Sequence, residues 1–550
     1  MENQNIASAD WLTWDEEVDV VIIGFGGAGV CAAIEATECG ASVLAVDRFE
    51  GGGATEASGG VCYAAGSRYQ REAGFDDTPD EMFKYLRMEI GDVVSPFTLK
   101  RFCNESNANL EWLADKGVNF GSHFNGAKTS YPGKGVFLYY SGNELNPRYA
   151  AVARPAPRGH RVVGEGPTGK TFFARLKQAA LDRGVRLWTH SPATRLITDQ
   201  NGAVIGVEVN RLKEGSRAWR RHRRTYRWAR MMVGAVSAQA AERFSRTLAA
   251  IEAENVSRLR IRARRGVILA SGGYIFNRAM IAKEAPLYQH AAPLGTPGCD
   301  GSGIVLGRSV GGTTASMGSV CASRSIAPPI AFVEGILVNG EGNRIAAEDA
   351  YTATLGRLIA ESPGGIAWLI VDKAILRRAM RQSLPGQGRL LLIHCLPSLM
   401  LIFFGSRKGA TIEVLAQKCN LPADALSQTV QKYHAILDIG AQDPMGKKQE
   451  YYRQLTGPFY ALDVSLRSKT APIPTFSLGG LVVDENSGAV RRDDASTIPG
   501  LYAAGRTALG LPSNYYVSGL SLSDCVFSGR RAGRHAASAN QAIAMPEMAE

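Results

Sequence analysis

Apolar runs separated by glycine set the pattern of the first fifty positions. VDVVII (18–23) is apolar except for Asp19, as expected for a strand covered on both faces of a parallel sheet. GFGGAG (24–29) follows, then VCAAIEATECG (30–40), a short helical stretch closed by Gly40; ASVLAVD (41–47) predicts a second strand. Strands and helices alternate to about residue 291, and strand-like elements return after about 459 in LGGLVVDE (478–485) and IPGLYAAG (498–505). This predicts one α/β domain drawn from both ends of the chain, 17–291 with 460–545, and a second domain, 292–459, inserted as a cap. A site at their junction is expected, because clefts form there. At 550 residues the chain exceeds what one core usually supports, which agrees with two bodies.

Strand, GxGxxG, helix, strand and a terminal acid form the dinucleotide-binding fingerprint. Gly24 permits the tight turn, Gly26 lets a pyrophosphate approach the backbone, and Gly29 lets the helix pack on the sheet. With Gly27, Ala28, Asp47 and Arg48 these residues are the expected dinucleotide contacts, Asp47 accepting from a ribose hydroxyl. GEGPTGKT (164–171) also satisfies the phosphate-loop pattern, but PAPRGHRVV before it is a poor strand and Pro167 removes an amide from the cradle. It is read as a turn opening a helix, not as an ATP site.

Composition is that of an ordinary globular protein, 45% hydrophobic and 21% charged. The nine cysteines show no CxxC spacing, so neither a metal site nor a disulfide framework is predicted, and reduced thiols in a cytoplasm are expected. The acidic N-terminus, MENQNIASADWLTWDEEVDV, lacks the pattern of a signal peptide. LLLIHCLPSLMLIFF (390–404) is too short to span a bilayer and is broken by His394 and Pro397; a buried helix–strand segment is expected.

Net charge is +11, but residues 211–265 carry 16 Lys and Arg against 4 Asp and Glu, so the rest of the chain is nearly neutral. Within it, RAWRRHRRTYRWAR (217–230) interleaves arginine with Trp219, Tyr226 and Trp228. A solvated basic insertion between two strands is expected. Nucleic acid is not expected as a partner; peripheral contact with an anionic membrane through this insertion stays open.

GGGATEASGGV (51–61), GVILASGGY (266–274), CDGSGIVLG (299–307), GPFYAL (457–462) and IPGLYAAGRTALG (498–510) occur in the order seen in the succinate dehydrogenase/fumarate reductase flavoprotein superfamily, which the chain resembles over about 17–540. The resemblance implies FAD, a Rossmann-like, glutathione-reductase-like FAD-binding domain and an α+β capping domain. It adds Ser58, Gly59, Gly60, Ser271, Gly272, Gly505, Arg506, Ser521 and Leu522 as cofactor contacts. Two departures matter. TEASGG (55–60) lacks the histidine of members that bind FAD covalently, so the flavin is expected to be non-covalent. Arg506 stands where many relatives place the glutamate that holds the ribityl chain.

At the reacting end, LVNGEGNRIAAEDAYTATLG (337–356) and NYYVSGLSLSDC (514–525) offer hydroxyls where fumarate reductases carry arginine and histidine. Both stretches resemble the 3-oxo-5α-steroid Δ4-dehydrogenases, relatives of the ketosteroid Δ1-dehydrogenases. That resemblance implies Tyr351, Tyr516 and Ser518 as catalytic residues, Tyr516 and Gly519 as substrate contacts, and a 5α-reduced 3-ketosteroid losing a C4 proton and a C5 hydride. Phenols suit an apolar pocket, where a carboxylate is costly to desolvate, and a bare backbone amide suits the charge developing on the C3 oxygen. A Δ1-dehydrogenase and a fumarate-reductase-like reductase of another activated alkene remain as alternatives. Tyr515 is expected to pack, and His160, His190, His394 and His434 are given no chemistry. With no second dinucleotide fingerprint, a quinone-like or dye acceptor is expected rather than NAD; the oligomeric state is left open.

Overall fold

The computed structural model describes residues 13–126, 135–231, 238–254, 257–384 and 395–539. The first twelve residues, 390–394 of the apolar run, 232–237 and 255–256 of the basic insertion, and 540–545 lie outside the described residues.

Glu16–Ile23 is a central strand because its side chains alternate onto two covered faces. Val20 and Ile22 pack into one core, Val18, Val21 and Ile23 into another. It pairs in parallel with Val43–Val46 on one side (Val20↔Val43) and with Ser257–Leu269 on the other (Val20↔Gly266). The eight-stranded sheet continues outward to Arg186–Trp188 and, across Ser257–Leu269, to Thr497–Ala503 and Ala489–Arg491. Residues from both ends of the chain therefore share one sheet, with Leu501 opposite Val267. The long strand Ser257–Leu269 also pairs antiparallel with Val204–Arg211 through its N-terminal half.

The C-terminal helix Leu520–Ser538 lies along the first helix, Gly27–Glu38. Their backbones come close because Gly529 and Gly533 face Ala28 and Ala32: a Cβ at either glycine would lie 2.4 Å from the facing carbonyl oxygen. This contact holds the start of the last helix beside the glycine loop.

A second, antiparallel sheet runs Ile336–Asn339, Ala367–Asp372, Phe459–Asp463, Ser406–Gly409, with its own core around Leu337, Leu369, Leu415 and Leu462. Buried charge fixes one of its edges. Glu348 bonds Arg344 (2.8 Å) and Lys447 (3.2 Å), Arg344 also bonds Asp443 (2.7 Å), and Glu348 Oε1 accepts the Leu337 N–H at 2.8 Å. Charges withdrawn from water need such partners, and these anchor the EDAY stretch that carries Tyr351.

Two expectations change. The insertion between Val204–Arg211 and Ser257–Leu269 is a pair of helices, Arg217–Met231 and Ala238–Glu254, and it packs on the fold rather than standing in solvent. LPSLMLIFF does form a helix, Leu396–Phe404, ahead of the strand Ser406–Gly409, but it is not buried: Phe403 is 61% and Phe404 70% exposed. Its apolar run exceeds what one buried face takes, so Leu401 and Ile402 fill the core while Leu396, Met400, Phe403 and Phe404 are exposed. No helix among the described residues is long and apolar enough to cross a membrane.

Candidate active site

The turn after the first strand is shaped by exclusion. Gly24 has φ +92°, and a Cβ there would lie 2.6 Å from Ser271 Cα; a Cβ on Gly29 would lie 2.0 Å from the Gly24 carbonyl. Both must be glycine for the chain's own packing. Gly26 differs. Its φ is −90°, and the nearest atom to an added Cβ is the Gly52 carbonyl at 3.8 Å. The protein thus leaves open space over a helix N-terminus, a cradle that fits a pyrophosphate.

Asp47 closes the cradle. Its Oδ2 accepts the Phe25 N–H (2.8 Å) and its Oδ1 those of Phe49 (2.8 Å) and Gly51 (3.3 Å), which leaves one of about four acceptor positions for a ribose hydroxyl. Two other expected dinucleotide contacts are taken up within the chain. The Gly27 N–H donates to Thr55 Oγ1 at 3.0 Å, and the Arg48 guanidinium is held by Glu252 (2.7 and 3.0 Å) and Asp300. Sequence spacing reports backbone position, and it could not anticipate these side-chain partners.

The remaining cofactor segments converge on this loop. Gly60 N–H donates to Ser58 Oγ (3.2 Å), and Thr168 Oγ1 donates to the Gly59 carbonyl (2.9 Å). The Gly169 N–H, at the start of the helix Gly169–Asp182, donates to the Ser58 carbonyl, and Lys170 is exposed; GEGPTGKT therefore packs against the flavin loop. Gly272 N–H donates to Thr507 Oγ1 (2.9 Å), and Ser271 Oγ accepts from Gly303 N–H (3.0 Å). Gly505 N–H donates to Ser528 Oγ at 2.9 Å. Arg506 lies over the Phe476 ring, 5.4 Å from its centroid, and donates to Cys299 Sγ. Ser521 and Leu522 occupy the first turn of Leu520–Ser538, with Leu522 buried in the core shared with the first helix.

Next to this N-terminus, Tyr351 and Tyr516 meet in one apolar cluster with Cys321, Ala353, Phe476 and Leu478. Tyr351 is the residue preceding the helix Thr352–Glu361 and is 5% exposed. The Phe476 ring stands edge-on to Tyr516, centroids 5.0 Å apart at 88°. Ser518 and Gly519 follow along the chain. Gly519 has φ +96° and approaches Cys62 and Tyr63 so closely that a Cβ would lie 3.1 Å from their backbone. Tyr515 packs under the Arg357 guanidinium, 4.2 Å from its ring centroid.

The loop Ser141–Glu144, absent from the sequence reading, joins these stretches. Ser141 Oγ donates to the Ser518 carbonyl (3.0 Å), and Asn143 Oδ1 accepts the Tyr351 N–H (2.8 Å). Asn143 Nδ2 donates to Glu89 and Thr354, both at 2.9 Å. SGNE has no signature that would single it out in one sequence. Of the histidines, His160 bonds Ser67 (2.7 Å) and the Arg158 carbonyl (2.9 Å), and burial pushes it down to about 4, a neutral structural role. His434 accepts the Leu455 N–H, and His394 lies outside the described residues.

The FAD-binding-domain family pattern matches residues 19–522. The chain is 39% identical to the 3-oxo-5-alpha-steroid 4-dehydrogenase of Comamonas testosteroni over 91% of this chain and 94% of that protein. It is 27% identical to the 3-oxosteroid 1-dehydrogenase of Mycolicibacterium smegmatis over 91% and 94% of the two chains. Among solved structures, the 3-ketosteroid-delta4-(5alpha)-dehydrogenase of Rhodococcus jostii RHA1, in complex with 4-androstene-3,17-dione, superposes with a TM-score of 0.79 at 31% identity, covering 96% of this chain and 99% of that one. The open cradle, the converging flavin segments and these matches give one conclusion: the chain belongs to the FAD-binding-domain family of flavoproteins, with FAD as its cofactor.

Proposed function

We propose that this flavoprotein is a 3-oxo-5α-steroid 4-dehydrogenase, which removes a proton from C4 and a hydride from C5 of a 5α-reduced 3-ketosteroid to leave the conjugated Δ4 enone. The observation that carries the reading is the meeting of Tyr351 and Tyr516 in one apolar cluster beside the start of Leu520–Ser538. The Comamonas testosteroni and Rhodococcus jostii relatives, both named for this activity, support it.

Bound FAD supplies the hydride acceptor. Tyr516 and the Gly519 amide polarise the C3 carbonyl, whose oxygen gains charge as the C4 proton leaves; preorganised donors there act on the transition state. Tyr351 takes the C4 proton, with Ser518 as its relay. Phe476, Leu478 and Ala353 supply an apolar wall that suits a hydrocarbon substrate and keeps water away from the phenols. The dipole of Leu520–Ser538 favours negative charge at its N-terminus. Within this proposal, 17–291 with 460–545 form the FAD-binding domain and 292–459 the cap. The electron acceptor is quinone-like, replaceable by a dye, and the protein works in the cytoplasm.

A dye-coupled assay with two substrates tests the reading. 5α-Androstane-3,17-dione should reduce the dye and yield 4-androstene-3,17-dione. Turnover of 4-androstene-3,17-dione alone would indicate Δ1 chemistry instead. Acid precipitation should release the yellow chromophore, since no histidine stands in TEASGG.

A further inference from the structure

The basic insertion has an ordered target. Arg223 and Arg227 bond Glu50 (2.8 and 2.9 Å), Arg230 bonds Glu56 (2.7 Å), and Glu252 takes Arg48 and His222, both at 2.7 Å. Each of these partners outside the insertion lies within residues 48–56, the loop and short helix Gly53–Glu56 that follow the second strand and Asp47. Between them the Phe49 ring stacks on Tyr226, centroids 4.0 Å apart and 7° from parallel, with Leu248 completing the cluster. His222 also stacks on Phe49, at 5.4 Å, and its Nδ1 lies 2.8 Å from His190 Nδ1. Three of the seven arginines of 217–230 are thus matched by Glu50 and Glu56.

Two buried polar atoms in this packing, His190 Nε2 and the Tyr226 hydroxyl, are unmatched among the described residues. Tyr226 is 1% exposed, yet its hydroxyl has no hydrogen-bond partner among the described residues. Burial raises its pKa, and the Asp47 and Glu56 carboxylates and Cys299 add to the rise while Arg230 opposes it; its ring lies on Phe49, whose N–H donates to Asp47 Oδ1 at 2.8 Å. Asp47 borders the Gly26 cradle, and Cys299 receives Arg506 from the flavin side. A buried hydroxyl without a partner costs stability unless something else satisfies it.

We propose that the helical pair Arg217–Met231 and Ala238–Glu254 is a cover over the adenosine-monophosphate end of FAD, with the Tyr226 hydroxyl donating to an oxygen of the adenosine ribose or of the phosphate it carries. A neutral phenol donates to such an oxygen without adding charge, and the Glu50, Glu56 and Glu252 pairs hold the helices over the loop. The cover recognises the AMP half alone, so FMN, which lacks it, gains nothing from these residues.

The test reads binding, not turnover. Tyr226→Phe should speed FAD release from the holoenzyme, followed by flavin fluorescence after dilution, roughly tenfold, the size expected for one lost hydrogen bond. FMN binding to the apoprotein should be unchanged by the same substitution. Arg220→Ala, on the exposed face, is the control and should release FAD at the wild-type rate. Hydrogen exchange on the unsubstituted protein provides a second measurement: amides of 217–231 and 238–254 should be protected by FAD and not by FMN. Release within twofold of wild type in Tyr226→Phe, an equal loss of FMN, or exchange in the insertion that FAD does not slow would each overturn the proposal.

Discussion

Asn143 Oδ1 accepts the backbone N–H of Tyr351 at 2.8 Å, across 208 positions of sequence. The same amide donates to Thr354 and to Glu89, so it ties the start of the helix Thr352–Glu361 to the helix Pro79–Ile90. Asn143→Ala removes the acceptor of the Tyr351 N–H in a buried place, while Glu89 Oε1 keeps its bond from Tyr85. Loss of about 1–3 kcal/mol of stability is expected, together with a lower kcat. Chemical denaturation and steady-state kinetics check both; a variant as active and as stable as wild type would show that Asn143 does not position Tyr351.

The two phenols should be separable from their neighbour by hydroxyl deletion. Tyr351→Phe and Tyr516→Phe keep the apolar cluster and remove only oxygen, and each should lower kcat on the order of a hundred- to a thousandfold. The bound-flavin spectrum should not change. Tyr515→Phe retains the ring under Arg357 and should be nearly silent. Equal effects at 515 and 516 would contradict the assignment.

Gly26 and Gly29 make a contrast between binding and folding. Alanine at 26 meets no protein atom closer than 3.8 Å, whereas at 29 it lies 2.0 Å from the Gly24 carbonyl. Gly26→Ala should therefore leave the apoprotein's Tm near wild type while weakening FAD binding, and Gly26→Val should abolish it. Gly29→Ala should lower the Tm with or without FAD. Calorimetry of apo and loaded protein distinguishes the two; a Gly26→Ala apoprotein that melts early would count against an open cradle.

Asp524, in the second turn of the last helix, is pushed up to about 6 by burial, against the pull of Arg531 and the Leu511 N–H. The folded state holds this proton to a higher pH than the unfolded chain does. Its contribution is absent below pH 3.8, grows unfavourable as pH rises to about 6, and stays at its full cost above that. The difference of about two units corresponds to roughly 3 kcal/mol. Asp524→Asn should be more stable than wild type at pH 7.5 and lose that advantage toward pH 4. An advantage that does not vary with pH would refute the buried-carboxyl account.

Much of the fold was legible in sequence because its signals are local. VDVVII, GFGGAG and ASVLAVD lie within one unit, and the chain's return in IPGLYAAG is a second strand-like run. What sequence left out depends on distant partners. Ser141 and Asn143 matter only through residues 377 and 208 positions away. Arg48 looks like a ligand contact until Glu252 and Asp300 are beside it. Arg223, Arg227 and Arg230 look like a charged surface until Glu50 and Glu56 face them. The helix Leu396–Phe404 erred in the other direction: hydropathy predicts burial, but the neighbouring sheet covers only part of its circumference.

The central claim, hydride loss from C5 of a 5α-reduced 3-ketosteroid, is tested most directly by the anaerobic half-reaction. Mixing the oxidised holoenzyme with 5α-androstane-3,17-dione should bleach the flavin absorbance in a single turnover, and deuterium at C5 should slow that bleaching. Steroid recovered afterwards should be 4-androstene-3,17-dione. Flavin that stays oxidised with this substrate, or bleaching that is indifferent to deuterium at C5 and is matched by 4-androstene-3,17-dione, would contradict the account.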